Sequence, residues 1–373
     1  MITLSYVKYS ILTTVFLFCL SLVSLQIKSE TTTHRNPADF YTREDFSKVR
    51  KVDVHVHINT NQEVFIDFAR KSNFQFLDIV DDRPFGLTMD EQQKLAFHHL
   101  QKYPKVMAVA TTFSSKTWGS QGWADETIKG LKKSLANGAK AVKIWKNIGM
   151  DLRDSDGKFV MVDDSRLTPV LDYLEQNNIP LIGHNGEPRD CWLPLDKMTF
   201  SKGYYSEHPE YHMFLHPEYP SYDAQIIARD NMLKKHPKLK FVGAHLGSLE
   251  WSLDELAKRF DRYPNMNVDL SRISNLQLHT LNDRQKTYDF FIKYQDRLVY
   301  GSDKAINATE NADQFTKGIY DAWLRDWIFF ATDENITLRG FGDLKGLRLP
   351  KAVIDKIYFK NADKWLNGTY SKN

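Results

Sequence analysis

Two histidines, His55 and His57, stand two positions apart in the sequence KVDVHVH. Residues two apart in a β-strand project from the same face, so the two imidazoles would lie side by side. Neutral imidazole nitrogen is a common ligand of zinc, and a rigid strand lowers the cost of ordering two ligands. The pair therefore predicts part of a metal site, although two incidental polar residues at a strand end are an alternative.

Regular alternation along this strand assigns its residues to two faces. The face expected to pack against helices consists of Val52, Val54 and Val56. The face expected to point into the interior consists of Asp53, His55 and His57. Asp53 lies deeper on that face, so we expect it to be a structural partner rather than a ligand.

Three further polar residues each close an apolar run: His184 ends IPLIGH, His245 ends LKFVGAH and Asp303 ends RLVYGSD. Taken singly, each could be a structural residue with satisfied hydrogen bonds. Together with the histidine pair, however, they would fall at the carboxyl ends of parallel strands, where barrel enzymes place their catalytic groups. These side chains are also the types that bind metal ions, so the pattern predicts one metal-dependent site at that end.

Short β-like runs alternate with longer amphipathic segments, which is typical of parallel βα units. Eight such runs predict a (β/α)8 TIM barrel, and an open doubly wound sheet is the alternative. The predicted strands are 51–57, 75–80, 105–111, 139–145, 179–184, 239–245, 265–270 and 297–303. The predicted helices between them are 90–102, 124–137, 165–177, 222–236, 249–262 and 284–295.

Three segments do not belong to this regular alternation. The excursions 146–164 and 185–221 follow strands four and five, where the loops of an active site belong. The segment 350–366 begins with a proline and then shows helical spacing of apolar residues. It predicts a C-terminal helix that closes the barrel.

The order of these residues resembles the amidohydrolase superfamily, and in particular its amidohydrolase-2 branch, which also contains decarboxylases. The resemblance rests on Asp-x-His-x-His in the first strand, the two later histidines and Ser-Asp in the last strand, and it covers residues 50–366. The phrases HNGEP and HPKLKFVGAHLGS add to it. The resemblance implies one divalent metal ion per chain, held by His55, His57, His184 and Asp303. Zinc is the expected ion, and manganese or iron would suit the same mixed ligands.

Metal-assisted chemistry gives two of these residues further roles. A divalent metal lowers the pKa of a bound water toward about 7, and Asp303 can accept the water's proton and return it to the leaving group. His245, as a neighbour of the metal or as a further ligand, is expected to polarise the substrate or to stabilise the oxygen on which negative charge develops. The predicted reaction is hydrolysis of a C–N or C–O bond in an amide, lactam, lactone or ester.

Two other functions stay open. Non-oxidative decarboxylation of a small carboxylic acid needs the same ligands, and a non-catalytic exported binding protein could keep the same scaffold. No Gly-x-Ser-x-Gly elbow and no Walker-type phosphate loop occurs in the sequence. We therefore expect an enzyme, a metal-dependent hydrolase that acts on a small-molecule substrate.

Several charged residues are candidates for substrate binding. Lys143, in AVKIW, could bind a substrate carboxylate, bridge two metals after carbamylation, or form a buried structural pair, and Lys146 is out of phase with it. Glu187 and Arg189, in the loop HNGEPRD, are expected to bind substrate or brace the ligands, and a surface ion pair is an equal alternative for Arg189. Asp269 projects from the seventh strand, where it could hydrogen-bond a ligand imidazole.

Composition is that of an ordinary globular chain, with 42% hydrophobic and 26% charged residues. The net charge is +3, and it falls to +1 without the first 28 residues, which contain two lysines and no acid. No basic face for nucleic acid is predicted. A homo-oligomer is left open.

The N-terminus has the pattern of a targeting segment. The run from Tyr9 to Ile27 is uncharged and mostly apolar, and Lys8 precedes it. It predicts export to the periplasm or the cell exterior, by a cleaved signal peptide or with an uncleaved membrane anchor. Cys191 would then be the only thiol of the mature chain. The expected divisions are 1–28 as signal peptide or anchor, 29–45 as linker and 46–373 as the barrel domain.

Overall fold

A parallel sheet forms the centre of the protein, within residues 37–370, the part of the chain that the computed structural model describes. The predicted signal peptide or anchor lies outside the described residues. Neighbouring strands follow the order β8-β7-β6-β5-β4-β3-β2-β1-β9. The strands are β1 Lys51–Asn59, β2 Phe74–Ile79, β3 Met107–Thr111, β4 Ala141–Ile144, β5 Leu181–Gly183, β6 Phe241–Gly243, β7 Met266–Asp269, β8 Leu298–Val299 and β9 Lys304–Asn307.

The sheet closes on itself because the chain between β8 and β9 continues beside β1. The Val54 amide donates a hydrogen bond to Tyr300 O at 3.0 Å, and the Asp303 amide donates to His55 O at 2.8 Å. Residues 298–307 therefore form one interrupted strand between β7 and β1. The predicted (β/α)8 TIM barrel is confirmed. Its eighth strand was expected to run unbroken to Asp303, but the backbone there turns to a φ of +55°, which splits the strand in two.

Helices surround the barrel. Five of them are preceded by a capping residue, whose side chain accepts a hydrogen bond from the backbone amide three residues later and so satisfies a donor that has no partner within the helix. These capping residues are Thr88, Ser221, Ser252, Asp283 and Asn311. The helices are Val64–Lys71, Met89–Lys102, Trp123–Ala136, Thr168–Gln176, Lys202–Glu207, Tyr222–Lys235, Leu253–Arg262, Ile273–Asn282, Arg284–Lys293 and Ala312–Ala331. An antiparallel hairpin lies outside the barrel sheet, with strands β10 Asn335–Leu338 and β11 Gly342–Lys345. Between residues 37 and 370, no helix has the length and apolar character needed to cross a membrane.

The predicted C-terminal helix closes the end of the barrel where the strands begin. It consists of Lys351–Asp355, a π-helical stretch Lys356–Lys360 and Asn361–Trp365. Trp365 Nε1 donates to Lys240 O, just before β6, at 3.1 Å. The apolar cluster that it covers fills the barrel interior and includes Val52, Leu77, Ala108, Ala141, Ile182, Val242 and Val299.

A β-bulge in β1 changes which residues face that interior. Between Asp53 and Val56 the register shifts, so that three steps along β1 correspond to two along β2. Val54 belongs to the interior cluster, whereas Val56 packs in the outer layer against the helices. The expected alternation, which placed Val52, Val54 and Val56 on one face, is therefore wrong. The bulge changes the phase of the strand and turns both imidazoles into the barrel.

The described part of the predicted linker packs onto the barrel. The Tyr41 hydroxyl donates to Asp355 at 2.9 Å, and Trp327 Nε1 donates to Thr42 O at 2.9 Å. The compact unit therefore begins at Pro37 rather than nine residues later. The earlier part of the predicted linker lies outside the described residues.

Candidate metal centre

The side chains of His55, His57 and Asp303 meet at the carboxyl end of the barrel. His55 Nε2 is 3.3 Å from Asp303 Oδ1, and His57 Nε2 is 3.6 Å from the same oxygen. Each residue can offer one ligand atom, and these atoms all lie within 4.8 Å of one another. Both imidazoles are buried, whereas the Asp303 side chain is 39% exposed.

The second nitrogen of each of these imidazoles has a polar partner. His55 Nδ1 lies 2.7 Å from Asp269 Oδ2, and His57 Nδ1 lies 3.1 Å from Ile79 O. Asp269 is an acceptor, so His55 carries its proton on Nδ1 and turns an unprotonated Nε2 toward Asp303. His57 Nδ1 also lies 3.3 Å from Arg83 Nη2, which is a donor, so its neighbours do not fix the tautomer of His57. Two imidazole nitrogens and a carboxylate converge, so the donor set fits a divalent cation.

Asp269 orders this part of the site. Its Oδ2 meets His55, and its Oδ1 accepts hydrogen bonds from His245 N at 2.8 Å and Ser271 Oγ at 2.7 Å. Burial alone would raise the pKa of Asp269, but His55 and His245 hold that pKa below its ordinary value. The hydrogen bond expected between Asp269 and an imidazole is present.

His245 is linked to Asp269 through Ser271. Ser271 Oγ donates to Asp269, so it accepts from His245 Nδ1, which lies 2.8 Å away. His245 Nε2 is then unprotonated, and it lies 3.9 Å from Asp303 Oδ2. Burial lowers the pKa of His245 to about 3, so the ring is neutral at neutral pH. The expected role of His245 in stabilising a negative oxygen needs a proton on Nε2, whereas these hydrogen bonds favour an acceptor there.

An uncommon backbone turn after β6 positions His245. Residues 245–248 have consecutive φ values of +56°, +59°, +63° and +56°. Left-handed backbone is costly for residues other than glycine and persists only where the surroundings hold it. Arg229 and the Tyr222 hydroxyl both donate hydrogen bonds to backbone oxygens of the turn.

Asp303 stays ionised in these surroundings. Burial would raise the pKa of its carboxyl group, but attraction to the imidazoles of His55, His245 and His57 in their protonated forms holds that pKa well below its usual range. Its left-handed backbone is one that Asp adopts more readily than most residues. The residue is therefore a fixed anionic acceptor among the imidazoles.

His184, the fourth predicted ligand, lies beside this group. Its ring centroid is 4.5 Å from that of His245, and its Nε2 is 3.5 Å from Glu187 Oε2. Within residues 37–370 that nitrogen is buried without a hydrogen-bond partner. Burial lowers the pKa of the ring well below its ordinary value, which keeps it neutral. The structure thus brings three of the four predicted ligands together, and ligation by His184 stays a prediction.

Two lysines lie near the end of β4, beside the site. Burial lowers the pKa of Lys143, and the carboxylates of Asp269 and Asp303 oppose that shift. Lys146 forms an ion pair with Glu187, and burial lowers its pKa to about 8. Although the predicted phase separated the two lysines, the strand ends before Lys146, so its side chain reaches the same end of the barrel.

Arg189 contacts an aromatic ring. Its guanidinium carbon lies 4.1 Å from the centroid of Trp251, and its backbone amide donates to Glu250 Oε1 at 2.8 Å. The predicted alternative of a surface ion pair is not among its contacts in the described part of the chain. Substrate binding by Arg189, Lys143 and Glu187 stays a prediction.

Two charged residues that the sequence pattern did not single out, Asp81 and Arg83, adjoin His57. Arg83 Nε lies 2.6 Å from Asp81 Oδ1, and Asp81 Oδ2 lies 3.8 Å from His57 Nδ1. Both follow β2 in the sequence VDDRP, at the same end of the barrel as His55, His57 and Asp303. Their position directly after a predicted strand is a signal of a functional role, but charged residues without a histidine are also typical of an ordinary surface loop.

Comparison with known proteins gives the class to which this barrel and site belong. A family model described as Amidohydrolase (Amidohydro_2) matches residues 52–368. The chain therefore belongs to this amidohydrolase family, which is metal-dependent. Family membership and the group formed by His55, His57 and Asp303 together give an enzyme with a candidate metal site and a small-molecule substrate.

Two solved structures are similar to the fold. An uncharacterised TIM-barrel protein from Bordetella bronchiseptica has a TM-score of 0.50 and 14% identity, over 86% of this chain and 99% of its own. A provisionally assigned amidohydrolase from Staphylococcus aureus has a TM-score of 0.50 and 14% identity, over 86% of this chain and 100% of its own. At this identity the similarity supports the barrel alone. No curated protein matches the sequence.

Proposed function

We propose that this protein is a metal-dependent hydrolase that cleaves a C–N or C–O bond in a small molecule, such as an amide, lactam, lactone or ester. The observation that supports this best is the convergence of three imidazole nitrogens on one carboxylate. His55 and His57 face Asp303 Oδ1, and His245 faces Asp303 Oδ2. The unprotonated nitrogens of His55 and His245 repel the carboxylate unless a cation or a proton lies between them.

His55, His57 and Asp303 would hold one divalent cation per chain, with His184 as the predicted fourth ligand. Mixed nitrogen and oxygen donors suit zinc, and manganese or iron would also fit. When bound, such an ion supplies Lewis acidity, which lowers the pKa of a water at the site toward about 7. Asp269 keeps His55 in the tautomer that ligation requires.

Asp303 is the proposed general base. Its carboxylate is ionised at neutral pH and partly exposed, so a water at the barrel mouth can donate a proton to it. The water oxygen adds to the carbonyl carbon, and the C–N or C–O bond breaks as Asp303 returns the proton to the leaving nitrogen or oxygen. His245 Nε2 is a second acceptor, which orients the attacking water by a hydrogen bond.

Two lysines beside His55, His57 and Asp303 are candidate partners for a substrate that carries a carboxylate. With a pKa of about 8, Lys146 is largely protonated at neutral pH, and a substrate carboxylate would compete with Glu187 for it. Lys143 and Lys146 both interact electrostatically with Asp303, so a bound carboxylate would lie near the reacting group. The same observation supports the second candidate, non-oxidative decarboxylation of a small carboxylic acid, in which a C–C bond breaks and no water is added.

Product analysis in water labelled with heavy oxygen separates the two reactions. Zinc-loaded protein is incubated with lactones, amides and aromatic acids, and the products are analysed by mass spectrometry while carbon dioxide is trapped. Hydrolysis predicts that each turnover places one labelled oxygen in the product and releases no carbon dioxide. Release of carbon dioxide, with no labelled oxygen in the organic product, would establish the decarboxylase instead. Metal binding with no turnover of any substrate would favour the non-catalytic binding protein.

A further inference from the structure

A second group of metal-ligating side chains lies at the end of the barrel where the strands begin, opposite the candidate metal centre. Asp172 and Glu175 stand three residues apart on the helix Thr168–Gln176, so they share one face. His236 follows the helix Tyr222–Lys235 and precedes β6. One ligand atom from each residue lies within 4.8 Å of the other two.

His236 has the surroundings of a metal ligand. Its side chain is 1% exposed, and its Nδ1 lies 3.2 Å from Asp172 Oδ1 and 4.0 Å from Glu175 Oε2. Despite these distances, neither ring nitrogen has a hydrogen-bond partner among the described residues. A buried imidazole without hydrogen bonds is costly, and a cation shared with the two carboxylates would satisfy it.

The two carboxylates are suitably placed for this role. Glu175 Oε1 accepts a hydrogen bond from Lys238 N at 2.6 Å, which leaves Oε2 on the side of His236. The Asp172 side chain is 46% exposed, so the group is accessible from solvent. Lys235 is a nearby cation, but its ammonium group is engaged with Thr168 Oγ1 at 2.7 Å, and the two carboxylates outweigh its charge.

We propose that Asp172, Glu175 and His236 bind a divalent cation of the zinc type, with water completing its coordination. Tetrahedral zinc with bonds of 2.0–2.1 Å separates neighbouring ligand atoms by about 3.3 Å, close to the 3.2 Å between His236 Nδ1 and Asp172 Oδ1. The ion ties the helix before β5 to the turn before β6. It stabilises the barrel far from the reacting groups, and the inference is independent of the proposed function.

Zinc binding by the full chain tests the site. The parent protein, Asp172→Asn, His236→Gln and the control His98→Gln are stripped of metal, and zinc binding is then measured by calorimetry and by elemental analysis after dialysis. His98 is an exposed residue of another helix, so its substitution controls for the loss of a surface imidazole. We expect the parent and the control to bind one equivalent of zinc more than Asp172→Asn and His236→Gln, or to bind that equivalent at least tenfold more tightly.

The double variant His55→Ala/His57→Ala separates this ion from the one at the barrel mouth. It should keep the equivalent that Asp172→Asn loses, and its melting temperature should still rise with zinc. Because Asp172 is half exposed, Asp172→Asn decides the question even if His236→Gln does not fold. Equal zinc affinity and stoichiometry in the parent and in Asp172→Asn would overturn the proposal, whatever happens at the mouth.

Discussion

Asp303 combines two roles that one substitution separates, because asparagine keeps the shape of the side chain and tolerates the left-handed backbone. We expect Asp303→Asn to melt near the temperature of the parent and to retain part of its metal. The loss of the base should lower the rate by roughly 10²–10⁴-fold. Melting temperature, bound metal and rate are measured on the same preparation. A variant that melts earlier but turns over at the parent's rate would make Asp303 a structural residue of the broken strand.

Asp269 positions the candidate ligand His55 without being a ligand itself. In Asp269→Asn an amide replaces the carboxylate that meets His55 and accepts from Ser271, so the His55 tautomer is no longer fixed. We expect metal affinity to fall by roughly 10–100-fold. Ser271→Ala is the matched comparison, since it removes only the link to His245 and should leave metal affinity near that of the parent. Unchanged affinity in Asp269→Asn would contradict this positioning role.

Individual site residues could be predicted where residue type and strand position agreed. His55, His57 and Asp303 do come together, but the reason given for the histidine pair was wrong. Val52 and Val54 face the interior, so regular alternation from them would have turned the pair outward. The bulge in β1 depends on its pairing with β2, which a single sequence does not reveal. The tautomer of His245 depends likewise on Ser271, which lies in the segment after β7.

The turn after β6 is the element on which the position of His245 depends. In Gly247→Ala the new methyl group would lie 2.9 Å from Met266 Cε, at a φ of +63° that alanine disfavours. We expect a loss of about 1–2 kcal/mol in unfolding free energy together with a lower rate. The matched control is Gly318→Ala, in the helix Ala312–Ala331, where nothing lies within 4 Å and a gain of about 0.5–1 kcal/mol is expected. Equal stability of the two variants in urea unfolding would contradict the strain of the turn.

The packing of the helix Ala312–Ala331 against the barrel depends on the charge of Asp326, which lies in that helix. Burial raises the pKa of this carboxyl group from 3.8 to about 6, and the Tyr300 hydroxyl donates to it at 2.8 Å. The folded state therefore favours the neutral form. Its contribution to stability is complete below pH 3.8 and is lost as the pH rises through about 6.

Asp326→Asn should remove this dependence on pH, because the amide is neutral throughout and can still accept from Tyr300. We expect the variant to exceed the parent in unfolding free energy by up to roughly 3 kcal/mol at about pH 8, and to show no gain at about pH 4. Urea unfolding at both pH values measures the difference. Parallel pH profiles for the two proteins would show that Asp326 is not held neutral.

Elements with strong periodicity could be predicted to within a few residues. The expected helix 90–102 is Met89–Lys102, and 222–236 is Tyr222–Lys235. The strands were harder, since β5 and β6 are three residues each and the eighth strand breaks before Asp303. These limits depend on hydrogen bonds between strands, whereas a helix forms its hydrogen bonds within one segment.

At the scale of the whole molecule, the alternation of strands and helices was enough to predict the closed barrel and its C-terminal helix. The reaction is less determined, because hydrolysis and decarboxylation use the same ligands. The segments 146–164 and 185–221, which follow β4 and β5, are the ones expected to select the substrate, and loop conformation follows from packing rather than from periodicity.

The claim on which the proposed function depends is that catalysis requires one divalent ion held by His55, His57 and Asp303. Metal content by elemental analysis and turnover are measured together on the same samples of native, chelated and zinc-restored protein and of His55→Ala. Using the Asp172→Asn background keeps the second proposed ion out of the count. Turnover should follow one equivalent of metal, disappear on chelation, return with zinc and be absent in His55→Ala. Full turnover by protein that contains no metal, or by His55→Ala, would contradict the claim.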